Sequence, residues 1–349
     1  MIILLSMFGC LSLDSLLPFH NNVHCSEVGP STCDPEMLVA QSPTYDVYWD
    51  TICTPCEESY EWDKEIDWAG EGRRQQIFDE VTEIPQLPAD VVQDAEIDVG
   101  DDAVELDAYF IPSSGAVPEF ANTTIVYNHG RYASIEAYIS RIRVFYALGF
   151  NVFVWDYRGY GKSNPPEQPN SKDWMSDAVA AFETAAALAP DKDKVIIYGM
   201  SVGTMPAAEM SKNSNACAQI FEASALSNTH KVEDNMSLMM PASFFTSGYL
   251  EGDAKLKDTT KPTLFLHGDM DARTLLTTAQ NVFDNLPDDI AKEFIIVPGA
   301  GHGLGASKAA DGTVKHDKGS IVEQGYGAYR GYLTNFLSEK APACLSTGR

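Results

Sequence analysis

The sequence predicts an α/β protein: a doubly wound, mostly parallel eight-stranded sheet, opened by an antiparallel hairpin and preceded by a Cys-rich N-terminal extension. Three observations carry this. From residue 123 onward, short and almost continuous apolar runs recur (TTIVYN, NVFVWD, KVIIYG, AQIFEA, PTLFLHG, EFIIVPG), the pattern of strands buried on both faces. Helix-length segments separate them. Ahead of them, AEIDV and AVELDAYFIP alternate around a polar turn at 100–102, which reads as a hairpin.

Taken in order, helices are expected at 134–148, 173–188, 202–213, 275–286 and 318–337, alternating with the strands, so the crossovers should be right-handed. Pro206 falls early in the third of these, where its missing N–H and its ring would distort the second turn unless the helix start accommodates it. The stretch before PTLFLHG contains NMSLMMPASFFTSGYL. It is too short for a separate cap domain, and its Met and Phe residues suit either a modest lid or acyl pocket, or core packing. Residues 60–90 are acidic and mixed, with a short helix expected at 73–81 and a Pro-punctuated linker at IPQLP. The chain therefore divides into a leader at 1–20, an acidic Cys-rich extension and linker at 21–91, a catalytic domain at 92–340 and a tail at 341–349.

Of 349 residues, 44% are hydrophobic, enough for a substantial core, which excludes disorder throughout. Fifty acidic side chains face 24 basic ones, a net charge of −26. Such a field opposes phosphate recognition, which excludes a nucleic-acid binder and disfavours anionic membrane surfaces. The charge is uneven: residues 1–107 carry −21, residues 108–349 only −5. The imbalance is concentrated in the first 107 residues, and a substrate pocket is free to be apolar.

Residues 1–8 are apolar apart from Ser6 and run into Gly9-Cys10, which resembles the end of a secretory signal and the lipobox at which bacterial lipoproteins are lipidated on cysteine. Met7 and Phe8 replace the usual Leu-like and small residues, and no Lys or Arg precedes the run; a buried terminal strand or helix is the competing reading. With Cys10 lipidated, six cysteines remain, Cys25, Cys33, Cys53, Cys56, Cys217 and Cys344, a number that can form three disulfides in an oxidising compartment. Cys25 with Cys33 and Cys53 with Cys56 are the expected pairs in the extension. The CTPC run also permits a redox CxxC or half a zinc site. It lacks the βαβ setting of the first and the second ligand pair of the second. The reading is an extracytoplasmic protein, in the cell envelope or secreted, touching a membrane only through a lipid anchor.

The strongest chemical motif is Gly199-Met200-Ser201-Val202-Gly203, directly after KVIIY and before a helical run. A strand–turn–helix context is what this pattern needs, because the sharp turn lifts the serine hydroxyl above the sheet while the glycines relieve crowding. Further motifs follow other strands: YNHG at 127–130, DYRGYGKS at 156–163, HGDMD at 267–271 and GAGHG at 299–303. In type, order and placement these resemble the α/β-hydrolase superfamily over roughly 92–340. Within it they look like the compact serine hydrolases that include membrane-associated acyl-protein thioesterases and their bacterial relatives.

The resemblance implies the α/β-hydrolase fold and a triad of Ser201 as nucleophile, His302 as general base and Asp271 as its orienting acid. It also implies an oxyanion hole from the backbone N–H groups of Val202 and Arg131, supporting turns at His129, Gly130, Gly199 and Gly203, no cofactor and no metal. The substrate is then a small-molecule ester or thioester; a serine peptidase or a non-catalytic binding protein on the same scaffold are the rivals. Asp269 is the alternative acid and His316 the alternative base. His129 and His267 are expected to make fixed structural hydrogen bonds, and Asp156 with Arg158 a structural ion pair. His20, His24 and His230 have no partner pattern. Arg273 is expected on the surface or against a polar substrate group.

Overall fold

The computed structural model describes residues 87–101, 103–130, 135–164, 170–226, 251–271, 274–302, 307–308, 314–315 and 321–346. Cys10, Cys25, Cys33, Cys53, Cys56, Arg131, Arg273, His20, His24, His230 and His316 lie outside these residues, as do the short helix expected at 73–81 and most of the Met- and Phe-bearing stretch.

Eight strands form one sheet: β1 (Gln93–Glu96), β2 (Asp107–Ile111), β3 (Thr124–Asn128), β4 (Asn151–Trp155), β5 (Val195–Met200), β6 (Ala218–Glu222), β7 (Thr263–Gly268) and β8 (Lys292–Val297). Their spatial order is β1-β2-β4-β3-β5-β6-β7-β8. β1 and β2 pair antiparallel, β2 runs antiparallel to β4, and the remaining neighbours are parallel. The α/β-hydrolase fold expected from the sequence is the fold observed. A separate two-stranded pair, β9 (Ser307–Lys308) with β10 (Val314–Lys315), follows β8.

The helices are α1 (Ile139–Ala147), α2 (Ser171–Leu188), α3 (Thr204–Asn213), α4 (Gly252–Leu256), α5 (Leu276–Asp284) and α6 (Ile321–Glu339). Strand residues alternate between two apolar clusters, as a strand's period of two dictates. Ile125, Tyr127, Val152, Val154, Ile196 and Tyr198 pack on the face covered by α1 and α6; Val126, Phe153, Trp155, Val195, Ile197 and Phe221 pack on the face covered by α2, α3 and α5. Both faces are covered, which is why the parallel strands read as continuous apolar runs. Tyr329, Leu333, Phe336 and Leu337 recur at i, i+4, i+7 and i+8 and form the buried stripe of α6.

Helix limits differ from the expectations for local reasons. α2 begins before Asp173 because Asn170 caps it, accepting from the Asp173 N–H at 2.9 Å while its amide donates to the Asp173 carboxylate at 2.8 Å. α3 begins at Thr204 rather than 202, since Ser201–Gly203 forms a separate 3-10 turn. Pro206 is thereby the third residue of the helix, where an N–H has no intrahelical acceptor and its loss costs nothing. Residues 341–346, expected as a tail, pack onto the domain: Cys344 is fully buried and disulfide-bonded to Cys217, and the Thr123 hydroxyl donates to the Cys344 carbonyl at 2.5 Å.

The chain reverses its course across the sheet between β3 and β5, and the C-terminal ends of strands at such a switch point are where open α/β sheets put their sites. No helix among the described residues is long and apolar enough to cross a membrane.

Candidate active site

Ser201 leaves β5 with φ +54°, a conformation that costs a residue with a Cβ roughly 1–2 kcal/mol. Its neighbours must be small for the turn to close. A Cβ on Gly199 would stand 2.6 Å from the Gly203 carbonyl oxygen, and one on Gly203 would stand 2.2 Å from the Asn128 carbonyl oxygen at the end of β3. The elbow is therefore pressed backbone-to-backbone against the next strand, and Ser201 is 8% exposed.

β7 and β8 supply the other two members. A Cβ on Gly268 would stand 2.1 Å from the Ala300 carbonyl oxygen, and the Met270 N–H donates to that oxygen at 3.0 Å. This close approach joins the turn after β7 to the loop after β8 and brings Asp271 beside His302. His302 Nε2 lies 2.9 Å from Ser201 Oγ, and His302 Nδ1 lies 2.9 Å from Asp271 Oδ2. The three residues expected as a triad are thus one continuous hydrogen-bonded row across the strand ends.

Asp271 is 6% exposed, and burial alone would raise its pKa. The hydrogen bond and charge of His302, reinforced by two bonds from Thr274, outweigh that and hold it at about 2. The Thr274 N–H donates to Oδ1 at 3.0 Å and the Thr274 hydroxyl to Oδ2 at 2.7 Å. Asp269, the alternative acid, turns elsewhere and accepts the Gly299 N–H at 2.6 Å.

The turn after β3 is fixed from below. His129 is fully buried, with Nδ1 2.7 Å from the Gly130 carbonyl oxygen and Nε2 3.0 Å from Asp156 Oδ1. Tyr157 stacks on the His129 ring at 4.3 Å and donates its hydroxyl to the His129 carbonyl at 2.7 Å. A Cβ on Gly130 would stand 2.7 Å from the Tyr138 hydroxyl, so that side chain would have to shift to admit one. The expected Asp156–Arg158 ion pair is not what forms. Asp156 faces His129 and accepts the Ile135 N–H at 2.9 Å, whereas Arg158 reaches α2 and binds Asp177 through two bonds of 2.7 Å. His267 is fully buried, and its Nε2 lies 2.9 Å from the Thr274 carbonyl oxygen. Burial lowers its pKa, against the pull of that bond and of the Asp271 carboxylate. Val202 follows Ser201 in the 3-10 turn; Arg131, its expected partner in the oxyanion hole, lies outside the described residues.

Two groups near the site escaped sequence reasoning. Glu222 ends β6 beside Met200, fully buried, and takes a bidentate Arg141 at 2.9 and 3.0 Å together with the Tyr198 hydroxyl. Thr274 is the other; its signal was a hydroxyl residue three positions after the acid, the spacing at which a side-chain carboxylate reaches a backbone N–H in a turn. Among the described residues no group of three or more His, Cys, Asp or Glu side chains could hold a metal ion.

Comparison with known proteins agrees with this architecture. A family model described as serine aminopeptidase, S33, matches residues 121–250. The α/β-hydrolase domain-containing protein aho-3 of Caenorhabditis elegans is 29% identical over 184 residues, covering 51% of this chain and 52% of that protein. Protein bem46 of Schizosaccharomyces pombe is 31% identical over 180 residues, covering 49% and 58%. These matches agree with the α/β-hydrolase fold described above. The matches to these two relatives span little more than half of their length. Among solved structures this chain is similar in fold to Est1E from Butyrivibrio proteoclasticus bound to ferulic acid (TM-score 0.53, 16% identity, 70% of this chain and 99% of that one). It is also similar to esterase Pf2001 of Pyrococcus furiosus (TM-score 0.52, 17% identity, 81% and 99%).

Proposed function

We propose that this protein is a serine esterase or thioesterase that works through an acyl-enzyme. The observation that carries the reading is the row Ser201 Oγ, His302 Nε2, His302 Nδ1, Asp271 Oδ2, with both gaps at 2.9 Å. Ser201 Oγ attacks the acyl carbon while its proton passes to His302 Nε2, and Asp271 stabilises the imidazolium that results. The carbonyl oxygen becomes an oxyanion and takes hydrogen bonds from the Val202 and Arg131 N–H groups, each such donor contributing roughly 100- to 1000-fold in rate. As the bond to the leaving oxygen or sulfur breaks, His302 returns the proton to it. Water then repeats the sequence on the acyl-Ser201 ester and releases the acid.

A fluorophosphonate probe is expected to label Ser201, and Ser201→Ala is expected to lower p-nitrophenyl ester turnover by at least about a thousandfold. An unlabelled wild-type protein whose Ser201→Ala variant keeps its ester turnover would contradict the assignment. The family model's description as a serine aminopeptidase favours a second reading, peptide hydrolysis by the same three residues. Side-by-side kcat/KM values for p-nitrophenyl esters of increasing chain length, an acyl thioester and aminoacyl p-nitroanilides separate the two.

Extracytoplasmic residence belongs to the same proposal. The Cys217–Cys344 disulfide supports it, as do the Cys-rich extension and the Gly9-Cys10 pair with its lipid anchor on Cys10. Radiolabelled palmitate should be incorporated by the wild type and not by Cys10→Ser.

A further inference from the structure

We infer that Thr204, the first residue of α3, is a positioning residue for the oxyanion hole, its hydroxyl fixing the peptide plane whose N–H belongs to Val202. The inference rests on the proposed acyl-enzyme mechanism and deepens it. Thr204 is fully buried. Its hydroxyl donates to the Ser201 carbonyl oxygen at 2.6 Å and accepts the Ala225 N–H at 3.0 Å. An N–H can only donate, so the second bond settles the direction of the first and commits the hydroxyl proton to Ser201. A threonine at a helix start commonly bonds back to a carbonyl three or four residues earlier. Here that carbonyl belongs to the proposed nucleophile, and the hydroxyl is pinned from outside the helix. The pin is itself held: two residues before Ala225, the Ala223 N–H donates to the Leu266 carbonyl of β7 at 2.9 Å, and the Ala223 carbonyl accepts the Thr274 hydroxyl at 3.2 Å.

The Ser201 carbonyl and the Val202 N–H are the two polar ends of one planar, trans amide. They point in opposite directions, so a bond that fixes the oxygen also aims the N–H. Val202 is the second residue of the 3-10 turn at Ser201–Gly203, and an N–H at that position has no acceptor within its own turn. Drawing electron density toward the carbonyl oxygen also makes the N–H on the same amide a stronger donor. The Thr204 N–H reaches the Ser201 oxygen too, but it divides itself between that oxygen and the Val202 carbonyl. The hydroxyl supplies the undivided bond. Because the shared N–H preserves part of the orientation, removing the hydroxyl should cost less than removing an oxyanion donor outright.

Thr204→Val keeps the shape and deletes the hydroxyl, whereas Thr204→Ser keeps the hydroxyl. With p-nitrophenyl butyrate, and rates expressed per fluorophosphonate-titrated site, Thr204→Val is expected to lose about 10-fold in kcat with KM within about twofold, because the oxyanion exists only after attack. The second readout is the Ki of a trifluoromethyl ketone. Ser201 Oγ adds to its carbonyl carbon as the proton passes to His302, and the ketone oxygen becomes an oxyanion in the same hole. That Ki should rise by about the same 10-fold, a change that a smaller fraction of folded enzyme does not produce. Thr204→Ser should stay within about threefold of wild type in both readouts. If Thr204→Val does not fold, Thr204→Ala under the same assays replaces it. A folded Val or Ala variant with wild-type kcat overturns the inference, as does one that loses kcat but keeps the wild-type Ki, or a Ser variant as impaired as the Val variant. Failure of the proposed mechanism itself would show in the wild type, which would then have neither fluorophosphonate labelling nor Ser201-dependent turnover.

Discussion

Ser201 depends on two glycines that fail differently from glycine elsewhere in the chain. The nearest atoms to a Cβ on Gly203 are carbonyl groups of β3 and its turn, which cannot yield without moving the strand end. Gly203→Ala is therefore expected to cost about 1–3 kcal/mol in urea unfolding and to abolish fluorophosphonate labelling. Gly331 in α6 meets nothing within 4 Å and has no positive φ, so Gly331→Ala should raise stability by about 0.5–1 kcal/mol and leave turnover unchanged. Ser201, Asp271 and His302 could be chosen from the sequence because each sits in a Gly-flanked motif at a strand end. Thr274 was passed over although a hydroxyl residue three positions after the acid was the available sign; its bonds to both oxygens of Asp271 are seen only in the fold.

At the scale of elements, the loop after β4 is tied to α2 by Arg158 and Asp177, the latter fully buried. Asp177 stands within the apolar stripe formed by Trp174, Ala178 and Ala181, so an acid on a buried helix face was the available sign that a cation must reach it. Proximity in sequence pointed instead to Asp156, two residues from Arg158, which the fold assigns to His129. Truncating one partner strands the other: Arg158→Ala should destabilise by about 3 kcal/mol, less whatever the partly exposed guanidinium loses to solvent screening. The paired change Arg158→Met with Asp177→Leu should recover most of that in urea unfolding. A double variant as unstable as Arg158→Ala would show that the stranded Asp177 charge is not the source of the loss. The strands were legible because both faces are buried. Helix starts were displaced by capping and by the 3-10 turn after Ser201, features that hydrophobic period does not report.

Across the whole molecule, the sheet is fastened at the end remote from Ser201. Cys217 precedes β6 and Cys344 follows α6, 127 residues later. A loop of that length carries a closure entropy of about 4–5 kcal/mol in the chain-entropy model, of which native disulfides typically deliver 2–5. Cys344→Ser should lower the Tm by several degrees with kcat unchanged; a fall in kcat with an unmoved Tm would place the bridge in the catalytic machinery instead. Cysteine parity made bridges legible from the sequence. The pairing of Cys217 with Cys344 became visible only where residues 341–346 pack back on the domain. Uncharged esters carry no net charge for the protein's field to act on, so their turnover should vary little with ionic strength. The most direct measurement is of the covalent intermediate: a p-nitrophenyl ester is mixed with the enzyme, quenched in acid during the first turnover, and peptides are mapped by mass. An acyl mass on the peptide bearing Ser201, formed at least as fast as kcat and absent in Ser201→Ala, is the expected result; full turnover with no adduct on Ser201 would contradict the acyl-enzyme mechanism.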